Sequence, residues 1–264
     1  MNSNLIKADE YINDLNIQGY SIIPGFLQND EIHNLKSLVI NDADELKDKK
    51  YPGYSDIRKE DEQIFNLQNK NVDYLNILSA PLIERILMKK LNDEYYPALP
   101  DDQPNYILGE YIARTSGAKL RLHIDSWLPA LGDNTWMMQV VFALEDRTEE
   151  DGCTIVVPGS HLSGKYTDRD YKHVIPLTAK AGDMIVWDSR LWHGAMPCVS
   201  KKKSWVLVAT FQRWWVKQRF DMPKSLPKSI YKSLSEKQKV LLGCYSIPPA
   251  DEFAGTNTRA GYNK

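Results

Sequence analysis

The chain has 264 residues, of which 42% are hydrophobic and 26% are charged, and its net charge is −2 at neutral pH. This composition is ordinary for a globular protein, and the balanced charge argues against a nucleic-acid partner. No apolar run approaches the roughly 20 residues that span a bilayer, and the N-terminus lacks the basic and apolar regions of a secretory signal. Three cysteines without metal-site spacing are typical of reduced thiols, so the sequence favours a cytoplasmic protein with no membrane partner.

The first hundred residues predict helices around one short strand. Helices are predicted at 7–15, 29–46 and 79–91. Tyr20–Pro24 is a strand that ends at a Pro-Gly pair. Asn29 is suited to cap the second helix, because its side chain can accept a hydrogen bond from the first turn. The charged region 48–71 is predicted to be irregular surface.

The pattern changes to that of short strands after Pro104. Strands are predicted at 106–114, 120–125, 136–144, 154–157, 173–176, 184–187 and 204–211. Turn sequences rich in Gly, Asp and Pro separate them. So many short strands without intervening helices favour an antiparallel double sheet of the jelly-roll kind. The fold class is therefore mainly β within an α+β chain, with helices packed outside the sheets.

The whole chain, 1–264, is interpreted as one domain. A helical buttress covers about 1–104, the jelly-roll core about 105–220, and a C-terminal wrap about 221–264. Ser235 is predicted to cap a short helix in the wrap. The polar end, 254–264, is predicted to be loose.

The most informative stretch is the strand segment that carries His123 and Asp125. Residues two apart in a strand point to the same face, so an imidazole and a carboxylate would project side by side. These are two members of the two-histidine, one-carboxylate set that holds non-haem Fe(II) and leaves coordination positions open. His193, which follows a later predicted strand, is the candidate for the third. The alternative for each histidine is a hydrogen-bonded core imidazole.

Several motifs occur in the order found in a known family. They are Gly19–Leu27, His123–Asp125, Gln139–Asp146, Gly152–His161, Gly182–Asp183 and His193–Gly194. On these motifs the chain resembles the phytanoyl-CoA dioxygenase family of Fe(II)- and 2-oxoglutarate-dependent oxygenases, over about residues 10–220.

The resemblance implies a double-stranded β-helix of the cupin-like kind, with Fe(II) on His123, Asp125 and His193. It also implies that 2-oxoglutarate chelates the iron, that O2 takes the remaining position, and that a ferryl oxidant hydroxylates the substrate. The expected substrate is a small-molecule metabolite, such as an amino acid or a natural-product intermediate. The carboxylate of Asp125 argues against the halogenase variants, which replace it.

One departure from the family concerns the basic residue that follows the distal histidine and binds the far carboxylate of 2-oxoglutarate. Ser204 stands at that position here. Lys203 and Arg121 are the first candidates to supply the charge instead, since Arg121 lies two residues before His123 on the same strand. Arg114 and Arg213 are further options.

Four other residues are candidates for ligand contacts. Gln139 and Thr154 lie on central predicted strands and could hydrogen-bond a carboxylate, or could be satisfied core polar groups. Trp127 and Trp136 flank the iron segment and could wall a substrate pocket, or could be core.

Two alternatives to a 2-oxoglutarate-dependent hydroxylase remain at this stage. One is a non-haem iron oxygenase that does not use 2-oxoglutarate, suggested by the serine at 204. The other is a non-catalytic, ligand-binding member of the fold.

Overall fold

The computed structural model describes residues 3–49, 62–94, 99–100, 102–166, 173–249 and 251–253. The helices are α1 (Ser3–Ile6), α2 (Ala8–Gln18), α3 (Asn29–Leu46), α4 (Val72–Asn76), α5 (Pro81–Leu91), α6 (Met222–Ser225), α7 (Lys228–Ser233) and α8 (Glu236–Leu241). The strands are β1 (Tyr20–Ile23), β2 (Gln63–Phe65), β3 (Ile107–Arg114), β4 (Leu120–His123), β5 (Met137–Ala143), β6 (Thr154–Val156), β7 (Ile175–Leu177), β8 (Met184–Asp188), β9 (His193–Ala195) and β10 (Val206–Gln212). Short 3-10 helices occupy Leu67–Asn69, Ile77–Ser79 and Ser160–Leu162.

The strands form two antiparallel sheets. The larger sheet has the order β1-β8-β5-β10-β3-β2, and the smaller has the order β4-β9-β6-β7. Most neighbouring strands are far apart in the sequence, which is the connectivity of a jelly roll. The predicted fold class, mainly β with a double-stranded β-helix, is confirmed.

The register of the larger sheet arranges its inward side chains in rows. One row contains Arg114 beside Val206, and another contains Glu110 beside Thr210. Gln139 of β5 extends the second row, because it pairs with Thr210 on the other side of β10. The two rows are four residues apart along β3, which corresponds to about 13 Å.

The N-terminal helices form part of a large hydrophobic core with the larger sheet. The fully buried members of this core include Leu15 of α2, Leu35 of α3 and Leu87 of α5, together with Tyr111 of β3. Side chains alternate between the two faces of a strand. Tyr111 therefore faces the helices because its neighbour Glu110 on β3 faces the space between the sheets. Within the described residues, every helix is too short or too polar to cross a bilayer.

Some elements differ from their predicted form. The cap of α3 is Gln28 rather than Asn29, and Gln28 and Glu31 form a reciprocal capping box. Strand β2 lies inside the region predicted to be irregular. The capping box at Ser235 confirms the predicted start of α8, whereas 254–264 lies outside the described residues.

Candidate metal centre

Two histidines and one carboxylate meet at one end of the space between the sheets. The Nε2 of His123 lies 3.3 Å from Oδ1 of Asp125, and the Nε2 of His193 lies 3.3 Å from Oδ2. One ligand atom from each residue can be chosen so that all three lie within 4.8 Å of one another. His123 pairs with His193 across β4 and β9, which brings the imidazole centroids to 4.3 Å. The structure thus brings together the three side chains that the sequence singled out.

The close approach of β4 and β9 depends on Gly194. A Cβ atom added there would lie 2.5 Å from the carbonyl oxygen of Leu120. Any side chain at this position would therefore force apart the two strands that carry the histidines.

Backbone hydrogen bonds orient both imidazoles. Nδ1 of His123 lies 3.0 Å from the carbonyl oxygen of Arg121, and Nδ1 of His193 lies 2.9 Å from that of Leu191. A carbonyl oxygen can only accept, so each Nδ1 carries a proton, and Nε2 is the ring nitrogen that faces Asp125. An Nδ1–H bonded to a carbonyl oxygen suits a histidine that binds a metal through Nε2.

Asp125 is held by the larger sheet although it lies just beyond the end of β4. Its backbone N–H donates to the carbonyl oxygen of Ser189 at 2.9 Å, and its carboxylate accepts a hydrogen bond from Gln139. Gln139 is itself fixed, because Thr210 donates to its Oε1 at 2.8 Å. Burial raises the pKa of the Asp125 carboxyl, but His193, His123 and Gln139 outweigh it, and the pKa lies below its ordinary value. The carboxylate is therefore ionised at neutral pH.

A buried ion pair supports the turn to which Asp125 is bonded. The guanidinium of Arg190 donates to both carboxylate oxygens of Asp188, at 2.7 and 3.0 Å. It also donates to the carbonyl oxygens of Ala130 and Gly132 and to the hydroxyl of Thr135. The pair thus links the end of β8 to the loop that follows the metal-binding segment.

A cavity of about 290 Å³ extends from the metal centre between the two sheets. Its middle is apolar and is lined by Ile112, Val141, Leu177, Ile185, Val206 and Val208. Arg114 and Arg147 also line it. Glu110 and Arg219 form an ion pair in its wall, with Nη1 2.7 Å from Oε1, and Arg219 also contacts the ring of Phe65.

The two preferred cation candidates do not line the cavity. Lys203 is exposed and its Nζ lies 2.7 Å from a carboxylate oxygen of Glu62. Arg121 is exposed because the register of β4 shifts between Leu120 and His123, and such an irregularity breaks the alternation of side chains. Its contribution near the site is the carbonyl oxygen that accepts from His123.

The remaining candidates for the cosubstrate contact differ in whether they line the cavity. Arg213 donates to the carbonyl oxygens of Thr135 and Asn92, and Ser204 is fully buried without lining the cavity. Arg114 lines the cavity.

Gln139 and Thr154 both line the cavity, whereas the two tryptophans do not. Trp136 donates from its indole N–H to the carbonyl oxygen of Ser126, which supports the segment next to Asp125. Trp127 is 81% exposed and has a φ of 63°, an unusual backbone conformation for a bulky residue. Its carbonyl oxygen accepts a hydrogen bond from Tyr166.

Three charged residues of the cavity were missed by the sequence analysis, namely Glu110, Arg147 and Arg219. Glu110 could have been found, since it shares the inward face of β3 with Arg114. Arg147 and Arg219 lie outside the strands, where no periodicity reveals the direction of a side chain.

A third histidine, His161, is buried outside the candidate metal centre, and the direction of its pKa shift predicts a pH dependence of the protein's stability. It packs against Gly19 and is 2% exposed. Burial lowers the pKa of its imidazole, and Arg190 lowers it further, while Asp188 raises it. The folded protein therefore resists protonation of His161 that the unfolded chain accepts.

We expect the free energy of unfolding of the metal-free protein to fall as the pH drops below about 6.5. The stability that a histidine with a lowered pKa supplies is present at higher pH and is lost as the unfolded state gains a proton, up to about 1.4 kcal/mol between pH 7.5 and 5.5. Urea denaturation at three pH values should show a smaller loss for His161→Gln than for the wild type. His33→Gln, an exposed control on α3, should keep the wild-type slope. Equal slopes for His161→Gln and the wild type would contradict this account.

Comparison with known sequences gives a match to the phytanoyl-CoA dioxygenase family profile over residues 15–204. An uncharacterised protein of Mycobacterium bovis is 30% identical over 131 residues, which is 48% of each chain. Dioxygenase af480 of Aspergillus fumigatus is 31% identical over 145 residues, which is 52% of this chain and 46% of that protein. The match therefore spans about half the length of these relatives.

Solved structures share the fold. HygX from Streptomyces hygroscopicus, with nickel and 2-oxoglutarate bound, superposes with a TM-score of 0.61 at 17% identity, over 79% of this chain and 88% of HygX. SnoN, a non-haem α-ketoglutarate-dependent epimerase from nogalamycin biosynthesis, gives a TM-score of 0.59 at 18% identity, over 79% of this chain and 83% of SnoN. At these identities the likeness shows the fold, whereas the profile match covers most of the sequence. The chain belongs to the phytanoyl-CoA dioxygenase family.

Proposed function

We propose that this protein is an Fe(II)- and 2-oxoglutarate-dependent dioxygenase that oxidises a small molecule, in the simplest case by hydroxylation. The observation that carries the proposal is the convergence of His123, Asp125 and His193 at one end of a cavity, with their ligand atoms within 4.8 Å of one another. The donor set suits ferrous iron, since it supplies two neutral imidazole nitrogens and one carboxylate on one side of the ion. Bound iron would supply the activation of O2, coupled to the oxidative decarboxylation of 2-oxoglutarate.

The residues around the donor set favour an ion that keeps open coordination positions. The side chains of His123 and Asp125 are 34% and 25% exposed, so the centre is accessible from the cavity side. The two Nδ1–H groups are bonded to carbonyl oxygens, so each ring would bind the metal through Nε2. Gln139 fixes the Asp125 carboxylate through a hydrogen bond of the kind that tunes metal ligands.

The substrate is proposed to be a small molecule that enters beside the Glu110–Arg219 pair. The cavity volume of about 290 Å³ is near the lower end for ligand pockets, and much of it would be taken by the cosubstrate. A carboxylate and a guanidinium in the wall suit a polar substrate with hydroxyl or amino groups. HygX, which shares the fold, has been solved with hygromycin B bound, and this supports a natural-product intermediate as the substrate class.

Anaerobic titration with Fe(II), with and without 2-oxoglutarate, tests the proposal. We expect one equivalent of iron to bind, and a weak visible charge-transfer band to appear only when 2-oxoglutarate is added. Iron binding without the band would favour an iron oxygenase that uses another cosubstrate. Failure to bind iron would indicate a non-catalytic member of the fold and would refute the proposal.

A further inference from the structure

Arg147 is a partly buried cation in the cavity wall, and it forms no ion pair with an acidic side chain among the described residues. Its Nη2 donates to the carbonyl oxygen of Gly152 at 2.9 Å and to the hydroxyl of Ser116, both of which are neutral. Its Nε is shielded from solvent and has no hydrogen-bond partner among the described residues. Asp151 is close enough to act on Arg147 by charge, but its carboxylate oxygens accept from Thr148 and Ser200.

An uncompensated cation in such a place favours an anionic ligand. Burial, together with the nearby charge of Arg114, lowers the pKa of the Arg147 guanidinium to about 10. Arg147 therefore remains charged at neutral pH, and a charge partly shielded from water is costly unless it is paired and hydrogen-bonded. Arg114 also lines the cavity, so a ligand there would meet two positive charges.

Between the metal centre and Arg147, the cavity presents chemical groups in the order that would bind a five-carbon 2-oxo diacid from end to end. Gln139, which bonds Asp125, and Ala143 are four residues apart on β5, about 13 Å, and Arg147 follows four residues later. Because an arginine side chain is long, the guanidinium of Arg147 lies closer to the metal centre than these backbone spacings suggest. Between the ends lie the apolar side chains of Val141 and Val208, which suit two methylene groups. One end of the cavity thus offers metal ligands, the middle is apolar, and the other end is cationic.

We propose that Arg147, with Arg114 beside it, binds the distal carboxylate of 2-oxoglutarate in place of the basic residue that the family carries after the distal histidine. The inference rests on the proposed function, because it assigns one contact of the same site. At the family's position stands Ser204, which does not line the cavity, and the adjacent Lys203 is exposed and paired with Glu62. In this protein the residue that binds the distal carboxylate therefore lies in the turn after β5, and not just before β10.

Calorimetric titration of the Mn(II)-loaded protein with two ligands tests this contact without turnover. The ligands are 2-oxoglutarate and 2-oxopentanoate, which has the same carbon chain with a methyl group where 2-oxoglutarate has its distal carboxylate. We expect the wild type to bind 2-oxoglutarate roughly 10- to 100-fold more tightly, as one charge-assisted interaction would give. Arg147→Gln should reduce this ratio to near one, and Arg147→Lys should retain part of it. Lys203→Gln, the surface control, should keep the wild-type ratio.

The ratio separates a binding role from a structural one. Misfolding or a general loss of site geometry in Arg147→Gln would weaken both ligands together and leave their ratio unchanged, and this result would overturn the inference. A wild type that binds both ligands equally would overturn it too, while the proposed function would still stand. If the Mn(II)-loaded wild type bound neither 2-oxo acid, both the inference and the use of 2-oxoglutarate would be refuted.

Discussion

Replacement of Asp125 by asparagine is expected to weaken metal binding by more than 100-fold and to remove oxygenase activity. The exchange keeps the shape of the side chain but removes the negative charge that both Nε2 atoms approach at 3.3 Å. Changes to groups that merely orient metal ligands cost about 10- to 100-fold in affinity, and the loss of a ligand's charge should cost more. Titration with Mn(II) or Fe(II) under anaerobic conditions measures the effect directly.

The matched control is Asp44→Asn, which makes the same chemical change on the exposed face of α3. This variant should bind metal as tightly as the wild type. If Asp125→Asn retained wild-type affinity, the ion would have to bind elsewhere, and the assignment of His123 and His193 as ligands would fail with it.

Replacement of Arg190 by methionine is expected to cost about 3–5 kcal/mol of the free energy of unfolding, the range found when one partner of a buried ion pair is removed. The side chains of Arg190 and Asp188 are 2% and 1% exposed, so the carboxylate of Asp188 would be left charged and unpaired in the interior. The carbonyl oxygens of Ala130 and Gly132 would also lose a donor. Urea denaturation of the metal-free protein gives the magnitude.

Two further variants distinguish the buried pair from an exposed one. Arg85→Met breaks the pair with Asp9, whose members are 47% and 79% exposed, and should cost no more than about 1 kcal/mol. Adding Asp188→Asn to Arg190→Met should recover part of the lost stability, because the unpaired charge is removed. A cost for Arg190→Met as small as that for Arg85→Met would contradict the role given to the pair.

The convergence of His123, Asp125 and His193 could be predicted from the sequence because the chemistry of a metal site is local and specific. A histidine and an aspartate two residues apart suggest one face of a strand, and few histidines remain to complete the set. In the structure the two side chains do meet, but Asp125 does not lie on the strand with His123. It lies in a turn beyond β4, where its backbone N–H bonds to Ser189. The side-chain types were therefore more informative than the strand geometry assumed for them.

The basic side chain that lines the cavity could not be predicted by the same kind of argument. Arg121 has the spacing of an inward-facing residue, but the irregularity in β4 turns it to solvent. Arg147 lies in a turn, where neither periodicity nor spacing gives a direction. Its position depends on backbone pairing with Ala179, a contact between segments 32 residues apart (179 − 147). Strand β2 was missed for a related reason, because three residues are too few to show alternation.

The division of the candidate metal ligands between the two sheets has a consequence for the stability of the metal-free protein. Both histidines belong to the smaller sheet, whose strands have only three or four residues, whereas Asp125 is bonded to residues of the larger sheet or next to it. An ion bound by the two histidines and Asp125 would link the two sheets. Loss of the ion would then remove a link between the two sheets and lower the free energy of unfolding.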